Sequence, residues 1–458
     1  MVKTLLKNQK LALTLLTIFW LVAVLRVRAD FSPNEDAFLF KQAGQCFLDA
    51  GLACSYNREP LYPLFLSLLL KLRLDLTIFI PIFQNIFFLI ATVLFVREAF
   101  RIQGQYERVL KISIFTALIP TFLITVNGAA YAESLLASLI MMQLALLTRG
   151  FYESRVSQPI WVRSILWFGV ACISGALGLL KASFPLIEFV FAIVLISGCL
   201  ALSLSRKYRE FIKFQNIIPL ILALALGGPI ATNIWFAARS SLSQSSFYRG
   251  GIILYGRTEY AKQFNWRKDF LPFITEALSD KGCRAIFADQ CQQYTFEAEN
   301  NIGILALQGA TDTELFNLGK ENILNQPLLQ LSFVPMEWMR FFLHHGTTGF
   351  AHLEVPIIGP LIHSFGFNLI LKLFNLGLYF YFISLLWRRK FQARPIVGIL
   401  ACYIIAYLSI YGFVTTVVRY IYPIAPFIVI LFFDHILQAK ETPRIISFRQ
   451  IDPISNKV

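Results

Sequence analysis

Long stretches without charge alternate with short basic connections along this chain. Uncharged or nearly uncharged runs occur at Leu11–Leu25, Leu76–Val96, Ile112–Ala132, Ser134–Thr148, Ser164–Leu180, Phe214–Ala238, Leu373–Trp387 and Pro395–Val418. Helices of ~17–25 apolar residues cross a bilayer, and shorter runs do so when flanking Lys and Arg side chains reach outward. The pattern predicts an all-α polytopic membrane protein with roughly 10–13 transmembrane helices. Leu11–Leu25 could pass for a signal-peptide core, but no small-residue cleavage site follows it, so it reads as a retained helix.

Composition agrees with this reading. With 57% hydrophobic and 15% charged residues over 458 positions, and a mean hydropathy of +0.62, the chain holds more apolar side chain than a soluble core needs. The net charge of +14 would suit nucleic acid if it were spread over one face. Instead, residues 1–10, 97–111, 149–163, 206–213, 388–394 and 440–458 together carry 22 Lys and Arg against 6 Asp and Glu. The whole excess lies in short connections, the pattern of a cytoplasmic face, and no nucleic-acid partner is required.

The same bias fixes the expected topology. If Leu61–Leu74 crossed the bilayer, Leu76–Val96 would run outward and leave Arg97, Arg101, Arg108 and Lys111 outside. An interfacial or re-entrant helix there keeps them inside. Both termini are then cytoplasmic, with outer loops at 27–75, 127–132, near Lys181, 239–365 and near Arg419; the opposite parity is the alternative. Three units follow: a transmembrane catalytic module at 1–238, an extracytoplasmic subdomain of mixed or α-helical structure at 239–365, and C-terminal transmembrane helices with a basic tail at 366–458.

The outer face collects the candidate chemistry. Asp30 to Pro60 contains five carboxylates, among them Asp30, Glu35, Asp36 and Glu59. Its apolar positions Ala37, Phe38, Phe40, Ala43, Phe47 and Leu48 fit a short surface helix. Pro60 suits a helix N-terminus, which puts Arg58 and Glu59 where water meets lipid. Asn127-Gly128 reads as a turn before a returning helix whose first turn holds Glu133, a carboxylate favoured there by the helix dipole alone. Lys181 interrupts an apolar stretch, and a charge at such depth implies an anionic partner unless it snorkels. Glu188 is a candidate companion, set against the plainer reading of a satisfied buried carboxylate.

The segment 239–365 contains helix-like pieces that pass through Asn325-Gln326-Pro327 into an amphipathic stretch, where Trp338, Phe341 and Phe342 suggest a return to the membrane. His344, His345, His352 and His363 gather near Glu354 but lack tight ligand spacing. No cofactor is called for, and a divalent metal is left open. Arg419, with Tyr420 and Tyr422, stands at the outer edge of the last crossing, where a guanidinium either anchors the helix end or grips a phosphate. Cys46 and Cys54, like Cys283 and Cys291, lie eight apart in outer loops and suit disulfides in an oxidising compartment; four free thiols are the alternative.

Taken in order, "SPNEDAFLFKQAG", "REPLYPLFLSLLL", "AAYAES", "GLLKASFPL", "ENILNQPLL" and "RYIYPIAP" resemble the GT-C superfamily of integral-membrane glycosyltransferases, in particular the branch similar to bacterial aminoarabinose transferases and protein O-mannosyltransferases (glycosyltransferase family 39-like). The chain departs from the aminoarabinose branch where that branch has an acid-Lys-Pro-Pro run and this chain has Arg58-Glu59-Pro60-Leu61. The resemblance implies an inverting transfer of a sugar from a polyprenyl-phosphate donor to a lipid, glycan or protein acceptor. It implies Asp36 or Glu35 as general base, Asp30 less so, with Glu133 as second acid, and Arg58, Lys181 and Arg419, with Tyr420, at the donor phosphate. Glu59 would support them. The expected location is a bacterial plasma membrane, with the site on its periplasmic face and membrane lipids around it. The alternatives are a polyprenyl-linked glycan or lipid transporter or flippase, in which buried acids relay protons, and a polysaccharide polymerase or ligase.

Overall fold

The computed structural model describes residues 9–32, 36–54, 59–100, 106–153, 159–203, 214–240, 250–278, 280–291, 305, 310–343, 351–356, 358–362, 364–387, 395–411 and 422–439. Nearly all of these are helical. The N-terminal half runs α1 (Gln9–Arg26), β1 (Val27–Ala29), α2 (Asp36–Ala50), α3 (Leu61–Lys71), α4 (Leu76–Phe100), α5 (Tyr106–Ala117), a π turn (Thr121–Val126), α6 (Ala132–Glu153), α7 (Ile160–Leu180), α8 (Phe184–Ser203) and α9 (Phe214–Ser240). Then come α10 (Gly250–Gln263), α11 (Trp266–Leu278), α12 (Asp280–Phe287), α13 (Asp312–Asn325), α14 (Pro327–Leu343), β2 (Ala351–Leu353), α15 (Ile358–Ile362), α16 (Phe365–Trp387), α17 (Pro395–Tyr411) and α18 (Ala425–Ala439).

Among the described residues, six helices are long and apolar enough to cross a membrane: Leu76–Phe100, Ala132–Phe151, Ile160–Leu180, Phe184–Ala201, Ile217–Arg239 and Gly366–Ser384. Four shorter apolar helices, Leu11–Arg26, Leu61–Lys71, Ile396–Tyr411 and Ala425–Leu437, accompany them. The expected run Ile112–Ala132 is not one helix. It breaks at Pro120, whose ring has no N–H to give, into α5 and the π turn. At 11 residues α3 is about 16 Å long by its rise, half of a hydrocarbon layer, and packs on α2 instead.

The chain alternates between two ends of this bundle, and side chains far apart in sequence mark each end. At one end β1 pairs antiparallel with β2, Val27 opposite Leu353, which joins the first loop to the long later segment. There too Arg239 at the close of α9 donates to the Cys54 carbonyl, and Tyr411 at the close of α17 bonds Ser183 at 3.0 Å. At the other end, Arg108 near the start of α5 meets Asp434 in the last turns of α18 at 2.6 Å. A left-out crossing would put some of these partners at opposite ends.

Packing follows from small residues and rings. In α9 a Cβ built at Gly227 would lie 2.4 Å from the Ala171 carbonyl of α7, so these two helices touch backbone to backbone as membrane helices with small residues do. α17 and α18 dock through edge-to-face rings, Phe191 on Tyr403 and Phe95 on Phe427. A separate apolar cluster of Tyr260, Phe264, Phe273, Phe333 and Met336 joins α10, α11 and α14. A capping box, Thr311 with Glu314, starts α13, and Pro327 opens α14. Trp338 then ties α14 to the bundle by donating to the Leu408 carbonyl at 3.1 Å.

Candidate functional site

Glu133 is aimed by the turn before it. Asn85 of α4 donates to the Pro81 and Leu123 carbonyls, the second of which belongs to the π turn. Asn127 donates to Asn85, and its own oxygen accepts from Ser134 at 2.7 Å. These bonds satisfy polar groups buried at the head of α6 and fix the residue between them. Gly128 belongs to the same device: a Cβ there would lie 2.1 Å from the Ile124 carbonyl and 2.7 Å from the Val27 side chain, so only glycine admits β1 against the turn.

Lys181 arrives from α7. It ends that helix in extended conformation, its N–H on the Leu177 carbonyl, and its carbonyl accepts from Phe184 to begin α8. Lys181 Nζ sits 3.0 Å from Glu133 Oε1, with side chains 14% and 5% exposed. This buried ion pair is the anionic partner that the depth of Lys181 implied. Glu188 is not that partner. It lies buried inside the bundle, as the plainer reading held, but it is only half satisfied: Oε1 accepts from Gln143 at 2.6 Å and Oε2 has no hydrogen-bond partner.

Tyrosines surround the pair. Tyr62 of α3 and Tyr407 of α17 both lie within the field of the Glu133 carboxylate, as Tyr131 does within that of Tyr62. Tyr62 accepts from Gln84 at 2.9 Å and packs edge-on against Phe40 of α2. Tyr407 and Tyr411 pack tilted with ring centroids 4.5 Å apart, and Tyr411 bonds Ser183, two residues beyond Lys181. The sequence reading missed these rings. Their signal was present as Tyr403, Tyr407 and Tyr411, spaced four apart on one helix face.

The first loop is held close by. The Cys46–Cys54 disulfide closes its far end, and Arg239 lies over the Phe47 and Trp235 rings while bonding Cys54. Asp30 follows β1 and accepts from Ser32 N at 3.0 Å and Ser32 Oγ at 2.8 Å, with His352 of β2 at 3.8 Å. Its carboxylate thus organises a turn and faces the ribbon, beside the Arg28–Glu354 ion pair at 3.2 Å. Asp36 opens α2, and its side chain lies outside the described residues, as do Glu35, Arg58, Arg419 and Tyr420. Glu59 is half-buried just before α3.

Cys283–Cys291 forms the second disulfide, at the far side of α12. No group of three or more His, Cys, Asp or Glu able to hold a metal ion occurs among the described residues; His344, His345 and His363 lie outside them. Set beside known family models, curated proteins and solved structures, the chain matches none of them.

Proposed function

We propose that the chain is an inverting glycosyltransferase of the membrane, moving a sugar from a polyprenyl-phosphate donor to a lipid, glycan or protein acceptor at the end of the bundle that holds Glu133 and Lys181. The observation that carries this reading is the buried Glu133–Lys181 pair, formed by two helix ends 48 residues apart, next to the acidic first loop. Acid and cation on one rim suit the division of labour in such a transfer. A carboxylate of the first loop, Asp36 or Glu35, takes the proton of the acceptor hydroxyl or amine as it attacks the anomeric carbon, and fixed cations stabilise the departing phosphate. Arg58 and Arg419 are the further cations the reading needs, with Tyr420 beside the phosphate.

On this reading the rim faces away from the cytoplasm, in keeping with the basic connections at the other end and with two disulfides, which persist in oxidising compartments. Of the shorter apolar helices, α1, α17 and α18 also cross the membrane on this reading while α3 lies at its surface; with α5 and its π turn as one more crossing the total is ten, and 239–365 forms a subdomain over the site, at the periplasmic surface of a bacterial plasma membrane. The test is mass spectrometry of glycolipids and glycoproteins from cells with and without the protein, followed by transfer assays on Glu35→Gln, Asp36→Asn and Glu133→Gln. Loss of one saccharide from one class, and loss of transfer with donor binding retained, is expected. Lipid or glycan flux without any covalent product would overturn the reading in favour of a transporter.

A further inference from the structure

Below the Glu133–Lys181 pair lies a second polar cluster that the proposed transfer does not use. Gln143 of α6 donates its amide to Glu188 Oε1 of α8 at 2.6 Å and to Ser174 Oγ of α7 at 2.8 Å. All three residues are buried, Glu188 at 1% exposure. They stand on the three helices that build the pair. Gln143 follows Glu133 by about three turns, and Ser174 and Glu188 flank Lys181 by about two turns on either side.

Glu188 Oε2 has no hydrogen-bond partner. It faces Gly228 of α9, where a Cβ would lie only 3.1 Å away. Its contacts are thus an amide and a glycine, and no ion pair to Glu188 occurs among the described residues. An ionised carboxylate with one bare oxygen inside an apolar bundle lacks the partners that make a buried charge tolerable, and such a group takes up a proton instead.

We propose that Glu188 is a neutral carboxylic acid, its proton on Oε2 because Oε1 already receives the Gln143 N–H, and that it is the positioning residue holding α6, α7 and α8 in the register that presses Lys181 against Glu133. The neutral acid serves here because its bond to Gln143 crosses two helices at no cost in net charge. The inference concerns the geometry of the pair and stands whether or not the pair transfers sugar.

The experiment uses the full chain in nanodiscs. Infrared difference spectra between wild type and Glu188→Gln are expected to lose a protonated-carboxyl C=O band that shifts in deuterium oxide. Melting midpoints are expected to be close to wild type for Glu188→Gln and several degrees lower for Glu188→Ala. A double-mutant cycle on Glu133→Gln and Lys181→Met, read from the same midpoints, should keep its coupling in the Glu188→Gln background and lose it in Glu188→Ala. If Glu188→Ala does not accumulate, Gln143→Leu removes the same bond from the neighbouring helix and takes its place. A difference spectrum showing loss of a carboxylate band, a Glu188→Gln protein as unstable as Glu188→Ala, or coupling that persists in every background would overturn the proposal.

Discussion

Breaking the Glu133–Lys181 pair from one side should cost far more than removing it whole. At 3.0 Å, two unit charges attract by about 5.5 kcal/mol at an effective dielectric of ~20, but burying both offsets much of that. With side chains 14% and 5% exposed, neither charge can turn to water when its partner is removed. Lys181→Met or Glu133→Leu alone should therefore destabilise by about 3–5 kcal/mol, the usual penalty of breaking a buried pair from one side, while the Lys181→Met, Glu133→Leu double variant should recover most of it. Melting in detergent is often irreversible, so midpoints serve as a ranking under one scan rate. The expected order places both single variants well below the double, and the charge-swapped Lys181→Glu, Glu133→Lys protein near the double. A transfer assay then separates structure from chemistry: the swapped pair keeps the fold and loses activity. Two single variants with midpoints at wild type, or a double variant that falls by their sum, would refute the buried pair and with it the placement of the site.

Two further outcomes are expected. Without reductant, the denatured protein should bind three equivalents of a maleimide, at Cys172, Cys199 and Cys402, rising to seven after reduction; opening Cys46–Cys54 with serine should cost about 2.5 kcal/mol by the loop-entropy relation. Gly227→Ala would press a methyl to 2.4 Å from the Ala171 carbonyl and force α7 from α9, lowering stability by at least about 1–3 kcal/mol, whereas Gly377→Ala, with nothing within 4 Å of its Cβ, should melt like wild type or slightly above it. Thermal midpoints of the purified variants compare the two.

Much of the frame was legible because it is local. Apolar runs announce membrane helices by length, Pro60 and Pro327 mark helix starts, and cysteines eight apart in outer loops suit pairing wherever that face is oxidising. Lys181 was legible as a charge in want of an anion, since its depth has a cost wherever its partner stands. Which anion answers it was not. Glu188 is seven residues away and Glu133 is 48, yet the turn bonded through Asn85, Asn127 and Ser134 aims the distant one. Glu188 is instead engaged by Gln143, a residue with nothing in its local sequence to mark it. The β1–β2 ribbon was equally hidden, for two three-residue strands more than 300 positions apart leave no periodicity to read. The tyrosines of α17 look like ordinary interfacial aromatics until α8 is packed beside them.

Charge bookkeeping at the rim decides which residues the proposed donor site must contain. The Glu133–Lys181 pair is neutral, and Arg28 is likewise matched by Glu354 across the ribbon. A phosphodiester brings one further negative charge, which the three N–H donors of Lys181 could share with Glu133 but could not neutralise for both. A donor phosphate is held there at lower cost if Lys181 stays paired and a further cation approaches from the loops. Arg58 and Arg419 are the cations proposed for that purpose. On the proposed reading the pair stays fixed beside the phosphate and needs no rearrangement when charge develops there. On this account removing either arginine weakens donor binding before it touches the fold, while removing Lys181 harms both at once, and that difference in order separates the two kinds of cation.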